Sequence, residues 1–192
     1  MSVTESFTAF SGHRQFATGE LLPVAQAAFT EATHGDAPIL ILDDLTGTPI
    51  ELDLRHSSEL AVAGYQARMS RQEPITARPG RGRPKLGVTA REVTLLPRHW
   101  EWLATQPGGA SVALRKLVEV ARRSSEVKDR VRQASAIGYK FMSTIAGHEV
   151  GFEEASRALF AGDQAGFEAL IAGWPVDVQS HLKKLLVDAF WA

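Results

Sequence analysis

The chain has 192 residues, 44% of them hydrophobic and 22% charged, and 21 Lys and Arg against 22 Asp and Glu leave a formal net charge of −1. It contains no cysteine. These numbers fit one or two ordinary globular domains, exclude disulfides, thiolate catalysis and Cys-based zinc sites, and leave only local clusters of charge to argue for a nucleic-acid partner.

The N-terminal stretch "MSVTESFTAFSGHRQ" lacks a basic start followed by an apolar run, so it does not read as a signal peptide. No apolar stretch approaches the length that spans a bilayer. A cytoplasmic protein with no membrane partner is expected. "FTAFSG" and "RQFATGE" read as two short strands around a glycine turn. "LLPVAQAAFTEATHG" reads as a helix with Pro23 in its first turn, where the missing N–H costs nothing, and with its end at Gly35. "PILILDD" is a continuous apolar run, the signature of a buried strand. In "PIELDL", Ile50, Leu52 and Leu54 alternate with Glu51 and Asp53, the period of a half-buried strand. Residues 1–70 are thus expected to form a ββαββ unit, closed by a short helix around Glu59–Met69. A mixed four-stranded sheet with one helix packed on it would bury these apolar faces.

Residues 71–90 have the composition of a basic linker. Residues 91–192 read as a helical domain that begins with a short strand, "REVTLLP". "PRHWEWLATQ" starts a helix at Pro97, "PGG" breaks it, and Ser111 caps "SVALRKLVEVARR". Val127, Val131, Ala134, Gly138, Phe141 and Ile145 then step by three and four, which predicts a long helix with one buried stripe. Three shorter helices follow, marked by Phe152, Ala155 and Leu159, by Phe167, Leu170 and Ile171, and by Pro175, Val178, Leu182, Leu185 and Phe190. The fold class is α+β.

Little here speaks for catalysis. His13, His34, His56, His99, His148 and His181 lie far apart, and no pair has the i, i+4 spacing of a helical metal site. No Gly-x-Ser-x-Gly elbow and no phosphate-binding glycine loop appears. Asp43 and Asp44 follow a buried strand and offer two carboxylates that a metal-dependent enzyme could use, although such aspartates more often cap a turn. No catalytic residue, metal ligand or cofactor is assigned, and the chain is expected not to be an enzyme.

The most unusual stretch is "RPGRGRPKLG", residues 78–87, with four positive charges and no acid. Its core, "RGRPK", resembles the AT-hook, a minor-groove DNA-binding motif. The narrow minor groove of A·T-rich DNA has a deep negative potential that favours inserted arginines, and its floor offers acceptors only. Gly82 keeps the strand thin and Pro84 keeps it extended. The resemblance implies that Arg81 and Arg83 lie along the groove floor while Arg78 and Lys85 meet phosphates.

Just downstream, "REVTLLPRHWEWLATQPGGASVALRKLVEVA", residues 91–121, resembles a ribbon-helix-helix module, in which strands of two chains pair and enter the major groove. The likeness implies a homodimer. The sequence departs from that pattern in a short first helix and in a strand with no row of polar donors. Arg115 with Arg122, and Lys116 with Arg123, lie two turns apart on one side of the second helix and could touch phosphates. Trp100, Trp102, Trp174 and Trp191 sit in or beside helices, as core or interface residues do.

Taken whole, through "FTAFSGHR", "ILDDLTGTPIELDLR", "GRGRPKLGVTAREVTLLPRHWEWLATQPGGASVALRKLVE" and "GFEEASRALFAGD", the chain resembles a bacterial family known only as a domain of unknown function. The expected function is that of a regulatory or nucleoid-associated DNA-binding protein. Its A·T-rich duplex would be contacted by Arg78, Arg81, Gly82, Arg83, Pro84 and Lys85, with support from Arg115, Lys116, Arg122 and Arg123. The alternative is a protein-interaction module whose sheet offers an edge or face and whose basic arm meets an acidic partner.

Overall fold

The structure is a computed structural model that describes residues 5–34, 37–72 and 91–190. The chain opens on a hairpin, β1 (Phe7–Ser11) and β2 (Arg14–Gly19), followed by α1 (Leu21–His34), β3 (Ile39–Asp43), β4 (Thr48–Ile50) and α2 (Ser58–Gln72). After the undescribed residues 73–90 come α3 (Pro97–Ala104), α4 (Gly109–Ile145), α5 (Phe152–Ala161), α6 (Gln164–Ile171) and α7 (Val176–Leu185). The α+β class holds: a small four-stranded sheet precedes a mostly helical remainder.

The sheet order is β2-β1-β3-β4, and every adjacent pair is antiparallel. The expected mixed sheet is therefore corrected. β2 and β3 both oppose β1, so they run parallel to each other and α1 crosses over between them. Because β1 sits between them, that parallel relation never becomes a ladder. The last strand is also shorter than the alternation of "PIELDL" suggests. Pairing stops at Ile50, on an edge strand whose Pro49 has no N–H to donate. Leu52 and Leu54 still pack against the sheet as partly buried residues.

Alternate residues of the two central strands face different cores. Phe7 and Ala9 on β1 and Ile41 on β3 pack with Leu21, Val24, Ala25 and Ala28 of α1 and with Val62 of α2. Phe10 and Leu42 point the other way, into a larger cluster with Phe141, Met142 and Ile145 of α4 and with Leu159, Phe167, Ile171, Val178 and Leu182 of the last three helices. Helices thus cover both faces of the sheet, where the sequence alone indicated one. This explains why "ILIL" is apolar without alternation: a strand buried on both sides needs apolar residues at every position.

The compact units consequently depart from the compositional zones. Residues 5–72 share a core with 127–190, and Pro74–Glu126 form a second unit, of which 91–126 are described. The boundary falls inside α4, a continuous 37-residue helix. The sequence suggested two helices there, the first capped by Ser111. The helix instead starts two residues earlier, after Gly108, whose φ of 84° suits glycine. The helix runs unbroken from Arg122 to Val127, and Ser124 fits within it by donating its hydroxyl to the carbonyl of Ala121. The expected stripe is present from Val131 onward, with Ala134, Gly138, Phe141 and Ile145 buried, while Val127 is exposed.

Two features lock the first unit together. Asp177 on α7 accepts a hydrogen bond from the backbone N–H of Gln15 on β2, at 2.9 Å. Gly47, in the β3–β4 turn at φ 67°, lies so close to α4 that a Cβ there would sit 2.4 Å from the carbonyl oxygen of Ile137. Only glycine satisfies both the conformation and the approach. Among the described residues, no helix is long and apolar enough to cross a membrane.

Candidate nucleic-acid interface

The stretch that carries the DNA reading most strongly, Arg78, Arg81, Gly82, Arg83, Pro84 and Lys85, lies outside the described residues, as does Trp191. What the structure describes of the neighbourhood is the helix pair that follows. Arg91–Leu96 has no regular secondary structure, so the expected strand is not formed within one chain. Leu96 is extended at φ −66° and ψ 149°, the conformation that a following proline imposes, and Pro97 opens α3 as expected. α3 runs for eight residues and is separated from α4 by the turn that ends at Gly108.

The four basic residues assigned to the second helix are all exposed on the first half of α4. They do not present four free charges. Arg122 Nη2 and Arg123 Nε donate to the same Glu119 Oε1, at 3.0 and 3.2 Å. Hydrogen bonding from Arg122 holds the Glu119 carboxyl below its ordinary range, and Glu119 in turn raises Arg122. Arg115 turns its Nε back to the carbonyl of Ser111, at 3.1 Å. Lys116 has no ion-pair partner among the described residues. Glu119 therefore offsets part of the positive field of this face, a compensation invisible when only the basic residues are counted.

This unit also leaves apolar side chains exposed. Among its described residues only Leu103 and Ala113 are buried. Trp100, Trp102, Leu117, Val118 and Val120 are exposed, Val118 at 62% and Val120 at 67%. Leu95, Trp102, Leu103, Leu114 and Leu117 line an apolar groove of about 280 Å³ together with His99. Of the four tryptophans, Trp174 meets the core expectation: it is buried and donates its indole N–H to the carbonyl of Val150, at 2.9 Å.

The two aspartates considered for a metal-dependent enzyme have different partners. Asp43 caps its turn, accepting from the backbone N–H of Leu45 at 2.9 Å and from the hydroxyl of Thr46 at 2.8 Å. Asp44 turns inward. It accepts from the hydroxyls of Ser6 and Thr8 at 2.9 and 3.0 Å. His181 Nε2 approaches its Oδ1 to 3.3 Å, within ion-pair distance but off the line of a good hydrogen bond. Lys184 Nζ lies 3.4 Å from its other oxygen. Burial opposes the charge on Asp44, but His181 and the two hydroxyls outweigh it and hold the carboxyl below its ordinary value. His181 was not singled out in the sequence. Its spacing of three from Val178 places it on the buried stripe of α7, and that was the available signal.

The comparisons agree with the sequence likeness and go no further. A family model described as "uncharacterized protein conserved in bacteria (DUF2239)" matches residues 6–186. The chain belongs to this family. No curated protein and no solved structure matches it.

Proposed function

For this member of an uncharacterised bacterial family, we propose a DNA-binding role exerted by a homodimer. The arm Arg78–Lys85 enters an A·T-rich minor groove, and Lys116, with Arg115, Arg122 and Arg123, adds phosphate contacts. The observation that carries the reading is the composition of the arm, in which Arg81 and Arg83 flank Gly82 and precede Pro84. The helix pair supports the dimer. Two buried residues cannot stabilise the described part of the unit alone, since each fully buried apolar side chain contributes only about 1.5–3 kcal/mol. The apolar groove lined by Leu95, Trp102, Leu114 and Leu117 is the kind of surface that a partner covers. A second copy is the occupant that suits it, because Arg91–Leu96 has no strand partner among the described residues and because ribbon-helix-helix modules, which this segment resembles, pair that strand across two chains. Pairing two arms raises the effective concentration of the second once the first is bound.

Fluorescence anisotropy with A·T-rich and G·C-rich duplexes at near-physiological salt tests the reading. The parent is expected to prefer the A·T duplex. Replacing both Arg81 and Arg83 by Ala is expected to lower that affinity about a hundredfold, on the order of tenfold for each arginine, and to reduce the salt slope by roughly two contacts. Unchanged binding by the double variant would reduce the arm to a linker. The dimer has its own check in sedimentation velocity. Trp102→Glu with Leu117→Glu is expected to convert a two-chain species to a single chain, and a parent already monomeric at micromolar concentration removes the dimer from the reading.

A second reading has one specific observation in its favour. The outer side of β4 is an open sheet edge, and a shallow groove of about 680 Å³ runs along it, lined by Ile39, Pro49, Ile50, Leu52 and Arg68 among others. An extended peptide could add there as a fifth strand. A parent that binds no duplex in the anisotropy titration favours this alternative.

A further inference from the structure

We propose that His13, His148 and Glu149 form a binding site for one divalent transition-metal ion of the zinc type. His13 is far in sequence from the adjacent pair His148 and Glu149, and the fold brings the three ligand atoms within 4.8 Å of one another. His13 stands in the β1–β2 turn, and His148 and Glu149 stand in the turn between α4 and α5. The central position of β1 in the core delivers its hairpin turn to the C-terminal end of α4.

The protonation pattern is what makes this cluster more than a gathering of side chains. His13 Nε2 lies 3.0 Å from the carbonyl oxygen of Ile145, one of the carbonyls that a helix end leaves without a partner. A carbonyl only accepts, so Nε2 carries the proton and donates. In the neutral ring Nδ1 then holds a lone pair. Nδ1 lies 3.9 Å from Glu149 Oε1. His148 Nε2 approaches the same oxygen from its own side, at 3.8 Å. Both separations are too long for a hydrogen bond. Three atoms able to donate electron pairs thus lie within 4.8 Å of one another. A histidine that ligates a metal through one nitrogen typically gives its other N–H to a carbonyl or carboxylate, and His13 has this arrangement in place.

The remaining geometry fits with a small adjustment. Ligand atoms about 2.0–2.1 Å from a tetrahedral zinc are about 3.3–3.4 Å apart, so the two separations to Glu149 must close by about half an ångström, and the two imidazole nitrogens, within 4.8 Å of each other, close as the His148 ring turns. His13 and Glu149 sit on backbone that is tied in place. Gly12 N–H donates to the carbonyl of Pro38 at 3.1 Å, Glu149 N–H donates to that of Ala146 at 3.0 Å, and the Glu149 carbonyl accepts from Phe152 N–H at 3.2 Å. The His148 side chain is 73% exposed, and its ring turns from its present stack on His13 to bring Nε2 inward. Two imidazoles and one carboxylate suit zinc and its first-row neighbours. Calcium and magnesium prefer oxygen alone, and Cu(I) prefers sulfur. A fourth position, on the exposed His148 side, is left for water.

The test uses the full chain without a polyhistidine tag, stripped with a chelator and titrated with ZnCl₂ by calorimetry and with Co²⁺ by visible absorption. One ion per chain is expected, with Co²⁺ absorption of tetrahedral intensity and a melting temperature raised by zinc. His148→Ala and Glu149→Gln are each expected to weaken zinc at least tenfold. His148→Ala alters an exposed side chain and Glu149→Gln keeps the shape of a mostly buried one, so both should leave the metal-free fold unchanged by circular dichroism. His56→Ala, an exposed histidine elsewhere, is expected to bind zinc like the parent. The proposal is overturned if the parent binds no zinc at micromolar concentration, if His148→Ala binds it equally well, or if His56→Ala loses as much affinity as His148→Ala.

Discussion

Phe141→Ala is expected to destabilise the protein by about 3–5 kcal/mol. Phe141 is fully buried on α4. Its ring centroid lies 5.6 Å from that of Phe10 on the sheet and 4.7 Å from that of His181 on α7. Truncation removes contacts from a strand, a long helix and the last helix at once. The surrounding atoms belong to three different elements and cannot collapse together into the void. Chemical denaturation measures the loss. A drop below about 1 kcal/mol would mean that the sheet and the helices 127–190 do not share a core. A shared core also requires a single transition for signals from the sheet and from the helices.

Asp44→Ala carries the second large effect, about 1–3 kcal/mol, because it removes a mostly buried acceptor and leaves the Ser6 hydroxyl and the His181 ring without that partner. Ser6, Thr8 and His181 would face a cavity, and Lys184 would lose its counter-charge. The carboxyl is held below its ordinary value in the folded chain, so the unfolded chain takes up a proton first as the pH falls. Its contribution to stability is therefore fully present above the unfolded value of about 3.9 and is lost as the pH drops through the lower folded value. Asp44→Asn keeps the shape and removes the titration. Its stability is expected to fall less steeply than the parent's below about pH 4. Identical slopes for parent and Asn variant, measured by urea denaturation between pH 5 and pH 3, would show that Asp44 does not drive the acid sensitivity.

Legibility differed between the sheet, the helices and the sites. The ββαββ order was readable because β1 and β2 flank a glycine turn, β3 is a continuous apolar run and the β4 segment alternates apolar with acidic residues. Helix α3 was readable from Pro97, and the buried face of α4 from its steps of three and four. The antiparallel pairing was not readable, because strand order depends on where α1 crosses over and no local residue encodes that. The start of α4 was misplaced by preferring the serine cap to the glycine turn beside it. Asp43 behaved as a turn-capping aspartate usually does. Its neighbour Asp44 did not, because its environment is supplied by α7, from the other end of the chain.

By itself the sequence determined the local matters: which segments are strands or helices, the absence of thiol chemistry, and the cationic arm on which the DNA proposal rests. Each depends on residues within a few positions of one another, where backbone preference and side-chain periodicity act directly. Only the tertiary structure decided that the sheet is buried on both faces, that Glu119 claims two of the helix's arginines, that Asp44 meets His181, and that His13 reaches His148 and Glu149. The last two and the burial of the sheet depend on which surfaces exclude water together, a property of the whole fold. The Glu119 pairing depends on rotamers that bring two guanidiniums onto one carboxylate, which spacing permits without selecting.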